Sequence, residues 1–164
     1  MAHDSGLHPR NDGWKHRTIV TGLHRNGDMA LRHALHAPET KEMQNLDPAT
    51  VQHLQSLAGA RHESVAFVFL STAGATLGLQ HVSSREMASV EVPLRSVVGV
   101  ALAMGAREIV MAHNHPSGDP EPTAEDFRTT RRVADVLSSL GIRLVDHLVL
   151  AGDAMVSFRA RGLL

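Results

Sequence analysis

Apolar residues recur along this chain in two rhythms. After Asp47-Pro48, the residues Val51, Leu54 and Leu57 return every third position, a helical spacing. Asp47 suits the N-cap and Pro48 the first helical position, where a missing N–H loses no bond; Gly59 suits the stop. Ser64-Val65-Ala66-Phe67-Val68-Phe69-Leu70 is apolar on both faces and rich in β-formers, so it predicts a central buried strand. Ser71–Gly74 predicts a turn, and Ala75–Val82 the returning arm of a hairpin. Ser83–Val92 reads as a loop followed by a short strand.

Pro93 opens a second helix, with Leu94, Val97, Val98, Ala101 and Leu102 on one stripe. Gly105 closes it, and Arg107–Ala112 predicts a second buried strand. That strand runs into a loop forced by Pro116, Gly118, Pro120 and Pro122. Thr123 then begins a long helix whose inward face is Phe127, Thr130, Val133, Ala134, Leu137 and Leu140, and Gly141 suits the residue just past its end. Ile142–Leu150 alternates as a strand, and Ala154–Phe158 supplies a last one after the Gly152-Asp153 turn. Helices interleaved with strand pairs predict a single α/β domain over residues 46–164, a mixed sheet flanked by helices. Residues 1–45 have only short apolar stretches and read as an N-terminal arm or extension, partly disordered. Within the arm, Met29–Leu35 allows two helical turns.

Composition narrows the chemistry. The chain has 164 residues, 43% of them apolar, which excludes a fibrous or wholly disordered protein. It has no cysteine, which excludes disulfides, thiolate-bound zinc and thiol catalysis. A net charge of −1 and 3% aromatic residues argue against a surface dedicated to nucleic acid. The longest stretch without a polar side chain is ten residues, Val97–Ala106, against the ~20 of a spanning helix. With no apolar segment at the N-terminus either, the expected location is the cytoplasm, away from membranes. Neither GxGxxG nor GxxxxGK[ST] occurs, so no glycine-rich phosphate loop is expected.

Twelve histidines are the unusual feature. Six fall within the first 36 residues at irregular spacing and read as solvated bystanders. His113 and His115 differ. At the end of an extended segment, residues i and i+2 project to one side, so both imidazoles reach one metal ion. Asp126 follows in the first turn of the helix that Thr123 caps. Two imidazoles and a carboxylate form a catalytic-type zinc set with a fourth position left for water. Taken alone, Asp126 has a plainer reading, an acid favouring the positive end of a helix.

His113-Asn114-His115-Pro116-Ser117-Gly118-Asp119-Pro120, with Pro122-Thr123 and Asp126, resembles the JAMM motif of JAB/MPN-type metalloproteases. The HNHPSG wording and Asp146-His147 resemble the RadC-like branch in particular. The similarity runs from about Arg61 to Val156. It implies a JAB/MPN-like, cytidine-deaminase-like fold and one Zn²⁺ per chain on His113, His115 and Asp126. It also implies a glutamate just before the first central strand that works on water, and Glu63 stands at that position. Glu86 and Glu91 are the fallback candidates. Thr123 stands where the family usually has serine, and its hydroxyl is expected to donate to the oxyanion. The implied activity is hydrolysis of peptide or isopeptide bonds in a peptide or protein substrate. The alternative is an accessory protein of DNA repair or mobile elements that binds nucleic acid or protein without proteolysis.

Asp146 sits at an even position of its strand among Ile142, Leu144, Leu148 and Leu150. An unpaired carboxylate there is costly. Its two readings are a carboxylate that orients a ligand histidine and one that accepts backbone N–H groups. His147, on the opposite face, reads as structural. Arg128, Arg131 and Arg132 form a basic cluster, either a solvated face or a contact for an acidic partner or a nucleic-acid backbone.

Overall fold

The computed structural model describes residues 17–20, 46–83 and 92–164. Their elements run β1 (Arg17–Val20), α1 (Pro48–Ala58), β2 (Ser64–Leu70), β3 (Thr76–Ser83), α2 (Leu94–Met104), β4 (Glu108–Asn114), α3 (Ala124–Ser139), β5 (Arg143–Ala151) and β6 (Ala154–Ser157). They form the expected mixed α/β architecture. The possible helix at Met29–Leu35, the strand suggested within Ser83–Val92, and Glu86 and Glu91 lie outside the described residues.

One sheet of six strands carries the fold, in the order β1-β3-β2-β4-β5-β6. Every pairing is antiparallel except β4 with β5, which α3 connects as a crossover. β1 comes from the N-terminal arm and pairs with β3 from Arg17↔Val82 to Val20↔Leu79. The sheet therefore reaches across the boundary expected at 45/46, because β3 would otherwise end it with an open edge.

Each helix begins and ends where local chemistry directs. The Asp47 carboxylate accepts from the Thr50 amide at 3.1 Å and so caps α1. Gly105 ends α2 at φ 66°, a left-handed conformation that glycine adopts without a Cβ penalty. Helix α1 covers one face of the sheet, with Leu54 and Leu57 against Val68, Val110 and Leu148. Helices α2 and α3 cover the other, with Val97, Ala101, Val133 and Leu137 against Phe67, Phe69 and Met111.

Three positions depart from the expected inward stripes. Leu102 is 58% exposed, because α2 meets the sheet along the narrow Val97–Ala101 line and Leu102 lies at its margin. Phe127 reaches the Phe158 ring at 5.2 Å yet stays 41% exposed. Leu140 is the C-cap of α3, where the backbone leaves helical geometry and turns the side chain off the inward line. In β5, the pairing passes from Ile109↔Leu144 to Val110↔Asp146, so Val145 is an extra residue. This β-bulge breaks strict alternation, putting Val145, Leu148 and Leu150 in the α1-side core and Leu144 in the other.

Candidate metal centre

The site lies where the C-terminal end of β4 meets the first turn of α3. β4 runs two residues beyond the apolar stretch, because His113 pairs with both Val65 and Val149, and Asn114 with Leu150. Along it, Ile109 and Met111 face α2 and α3, and by alternation His113 shares that face. The His115 amide donates to the Leu150 carbonyl at 2.7 Å, which prolongs the extended course by one residue. His113 Nε2 and His115 Nε2 consequently stand 2.8 Å apart.

The proline-rich loop returns the chain over the histidines. Gly118, at φ 84°, makes its turn, with the Gly118 amide donating to the His115 carbonyl at 3.1 Å. Arg161, in the C-terminal segment, grips both oxygens of Glu121 at 2.8 Å and pins the loop from outside. Thr123 and Asp126 then form a capping box at the start of α3. Asp126 Oδ1 lies 3.0 Å from His113 Nε2, and Oδ2 lies 3.4 Å from His115 Nε2. The plain role of Asp126 as a helix-start acid and its place beside the histidines are one arrangement, since the capping box aims the carboxylate.

Burial pushes the Asp126 carboxyl up. The hydrogen bond and charge of His113, with the two donors of Thr123, outweigh it and hold the group well below the usual carboxylate range. It is therefore an anion at neutral pH. His115 Nδ1 lies 2.8 Å from the Asp119 carbonyl. A carbonyl only accepts, so Nδ1 carries a proton and Nε2 is the atom that faces inward. His113, His115 and Asp126 each present one ligand atom within 4.8 Å of the others. Two imidazoles and an anionic oxygen fit a divalent cation such as zinc in number and kind.

These groups floor a cleft of about 450 Å³, which Glu63 also lines. Glu63 directly precedes β2, two residues before Val65, the register partner of His113. It is half-buried. Burial raises its pKa and Asp126 adds to the rise, while His113 and His115 pull it down by less.

Two further candidate residues have these contacts. The Thr123 hydroxyl donates to Asp126 Oδ2 at 2.7 Å and accepts from the Asp126 amide at 3.3 Å. Its proton is directed to the carboxylate, so Thr123 orients Asp126. Asp146 accepts from the His147 amide at 2.7 Å, the Ser157 hydroxyl at 2.7 Å and the Arg159 amide at 3.1 Å. It ties β5 to the end of β6 and orients neither ligand ring, because both outward nitrogens have other partners. That of His115 meets Asp119, and that of His113 meets His147 Nε2 at 2.8 Å. The bulge in β5 turns His147 to the face where α3 lies, and its Nδ1 reaches Thr130 Oγ1 at 2.6 Å. Burial lowers the His147 pKa well below the ordinary value, and the charge of His113 adds to the effect.

His147 as a neighbour of the site, Thr130 and Asn114 are residues that sequence reasoning missed. Asn114 sits between the two histidines and faces the opposite way. Its Oδ1 accepts from the Ser64 amide at 2.8 Å, and its Nδ2 donates to the Ala60 and His62 carbonyls at 3.0 and 3.2 Å. The available signal was a polar residue at a core position of an otherwise apolar strand. The basic cluster lines a groove on the outer side of α3 with Phe127 and Asp135, and Arg128 there is paired with Glu125 at 2.5 Å.

The model of the RadC-like JAB domain family matches residues 44–163. A UPF0758 protein of Vibrio cholerae is 40% identical over 114 residues, covering 69% of this chain and 72% of that protein. One from Xanthomonas axonopodis pv. citri is 33% identical over 136 residues, covering 82% of this chain and 60% of that protein. Another, from Clostridium kluyveri, is 32% identical, with 51% of its length covered. The chain thus spans between about half and three quarters of these relatives. The matched region holds all of Glu63, His113, His115 and Asp126, and the chain belongs to the RadC-like JAB domain family.

Proposed function

We propose that this protein is a zinc-dependent metallopeptidase that hydrolyses peptide or isopeptide bonds. The observation carrying this reading is the convergence of His113, His115 and Asp126 within 4.8 Å, on the floor of a cleft that Glu63 lines. Zn²⁺ held by these three groups supplies Lewis acidity, which brings the pKa of water towards ~7 and polarises an amide carbonyl. Glu63 takes a proton from the attacking water and passes it to the leaving amine. Its raised pKa suits both halves of that task, since a strongly acidic carboxylate is a poor base at neutral pH. Asp126 stays ionised and is held in place by Thr123. The partner is a peptide or protein segment that enters the cleft, and the expected site of action is the cytoplasm. Among the described residues no helix is long and apolar enough to cross a membrane.

The test compares three proteins on a panel of fluorogenic peptide and isopeptide substrates, with metal content measured in parallel. The wild-type protein carries one zinc per chain and turns over a substrate. Glu63→Gln keeps the zinc and loses about 10²–10⁴-fold in turnover. Asp126→Ala loses both. Release of zinc by Glu63→Gln would make Glu63 a ligand, and full activity would place the base elsewhere.

A second reading, a nucleic-acid-binding or protein-binding accessory without proteolysis, rests on the groove of Arg128, Arg131 and Arg132. Glu125 and Asp135 partly offset its charge, so it is the weaker of the two. Salt-sensitive DNA binding that persists in His113→Ala/His115→Ala protein would favour it.

A further inference from the structure

Glu121 stands in the middle of the loop that joins the two halves of the candidate metal centre. Two residues before it, the Asp119 carbonyl oxygen lies 2.8 Å from His115 Nδ1. Two residues after it, Thr123 caps α3 and holds the Asp126 carboxylate. The Glu121 amide donates to Asp119 Oδ1 at 3.0 Å, and the Asp119 amide to Ser117 Oγ at 3.4 Å. Pro116, Pro120 and Pro122 restrict the backbone further. A shift at Glu121 is therefore passed to the contacts on either side of it.

The C-terminal segment is what this loop leans on. Nη1 of Arg161 donates to both carboxylate oxygens of Glu121 at 2.8 Å. Among the described residues, the other hydrogen bonds of residues 117–122 stay within residues 115–121. The arginine itself is carried on a firm base. Phe158 is fully buried, its ring 5.2 Å from that of Phe127 and 4.6 Å from that of His147. Its amide donates to the His147 carbonyl at 2.9 Å. The Arg161 amide donates to the Ser157 carbonyl at 3.2 Å and the Leu163 amide to the Phe158 carbonyl at 2.8 Å, which closes the turn that aims the guanidinium.

We infer that Arg161 is a positioning residue: through Glu121 it latches the loop, so that His115 and Asp126 face one another before a metal ion arrives. Both side chains are well exposed, 44% for Arg161 and 65% for Glu121. A pair that exposed adds little to the stability of the fold. Its effect falls on metal binding instead. A free loop must be ordered when the ion draws His115 and Asp126 together, and a latched loop has lost that freedom already. Linkage makes the effect reciprocal: the factor that the latch adds to zinc affinity, zinc adds to the latch. This inference rests on the metal reading, and its test separates the two.

The experiment measures zinc affinity by chelator competition, together with amide exchange of the loop and the urea midpoint in metal-free protein. Arg161→Gln and Glu121→Gln should each weaken zinc binding about 2–5-fold, the scale of an exposed ion pair. Each should leave the urea midpoint unchanged and speed exchange of the Gly118 and Glu121 amides. The Arg161→Gln/Glu121→Gln double variant should bind zinc no more weakly than either single one, because both remove the same contact. The difference between the wild type and Arg161→Gln should close as added salt screens the pair. Wild-type zinc affinity in Arg161→Gln would overturn the inference, and so would single losses that add in the double variant. A urea midpoint that drops in step with zinc affinity would overturn it too, by making Arg161 a plain support of the fold. If Arg161→Gln speeds loop exchange but the wild type binds no zinc, the latch stands and the metal reading fails.

Discussion

Asn114 Oδ1 accepts the Ser64 amide across 2.8 Å, while the flanking His113 and His115 turn the other way, towards the candidate metal centre. One strand end thus does two things: its α3-side residues offer ligands, and its α1-side residue fastens the segment bearing Glu63. The amide of Asn114 also holds the Ala60 and His62 carbonyls, so the approach to β2 is bound on both sides of Glu63. The segment bearing Glu63 and the two histidines are thus positioned by a single tripeptide, while Thr123 holds Asp126.

Asn114→Ala should therefore separate the two functions. It leaves the buried Ser64 amide unpaired, which costs about 1–3 kcal/mol, to be read from urea unfolding. Zinc affinity should change little, because no ligand atom is touched. Turnover should fall as Glu63 loses its fixed approach. Tighter coupling, with zinc lost along with stability, would show that Asn114 supports the ligands as well.

Thr123→Ala removes the α3 cap and one of the two donors that hold Asp126 Oδ2. Loss of an N-cap threonine costs about 0.5–2 kcal/mol. The expected result is a lower urea midpoint together with weaker zinc binding, and Thr123→Ser should restore both. Undiminished zinc affinity in Thr123→Ala would mean that the backbone amide of residue 123 suffices to hold Asp126.

Asp146→Asn tests the structural reading of Asp146. The amide oxygen still accepts the His147 and Arg159 amides, but the ionised acceptor facing Ser157 is lost. Stability should drop by about 1 kcal/mol, the worth of a typical buried hydrogen bond. Zinc affinity should stay within a few-fold of the wild type, since neither His113 nor His115 leans on Asp146. A loss of tenfold or more in affinity would return Asp146 to the metal centre.

His53 and His81 predict a pH dependence. Their rings meet edge-on with centroids 5.1 Å apart, and Nε2 of each is buried without a partner. Burial lowers both pKa values, and for His81 the nearby charge of His53 adds to it. The unfolded chain takes up protons near pH 6.5, where the folded protein does not. Stability is therefore full above that pH and is lost as pH falls from there towards the folded-state values. Urea unfolding over this range should show a shallower loss for His53→Gln/His81→Gln protein. Part of the slope should remain, because His147 is lowered in the same direction. An unchanged slope would mean that the pair is not neutral in the fold.

Element type was legible because it depends on neighbours in sequence. The three-residue rhythm after Asp47-Pro48 and the apolar run Ser64–Leu70 specify α1 and β2 through local capping, periodicity and burial, and both form there. That His113, His115 and Asp126 would converge was legible for the same reason: the i, i+2 histidines ride on one strand, and the capping box of Thr123 and Asp126 is local to one helix turn. What failed were inferences carried along a strand on the assumption of strict alternation. The faces of Asp146 and His147 depend on the Val145 bulge, and that bulge exists only through pairing with β4, more than thirty residues away in sequence. The contact of His147 with His113, the hold of Thr130 on His147, and the grip of Asn114 on the Glu63 segment are likewise long-range. The sequence by itself determined which atoms are available as ligands. Only the tertiary structure decided how His113 meets Asp126 and what keeps Glu63 in reach, because both depend on contacts between segments that meet only when the sheet and α3 close together.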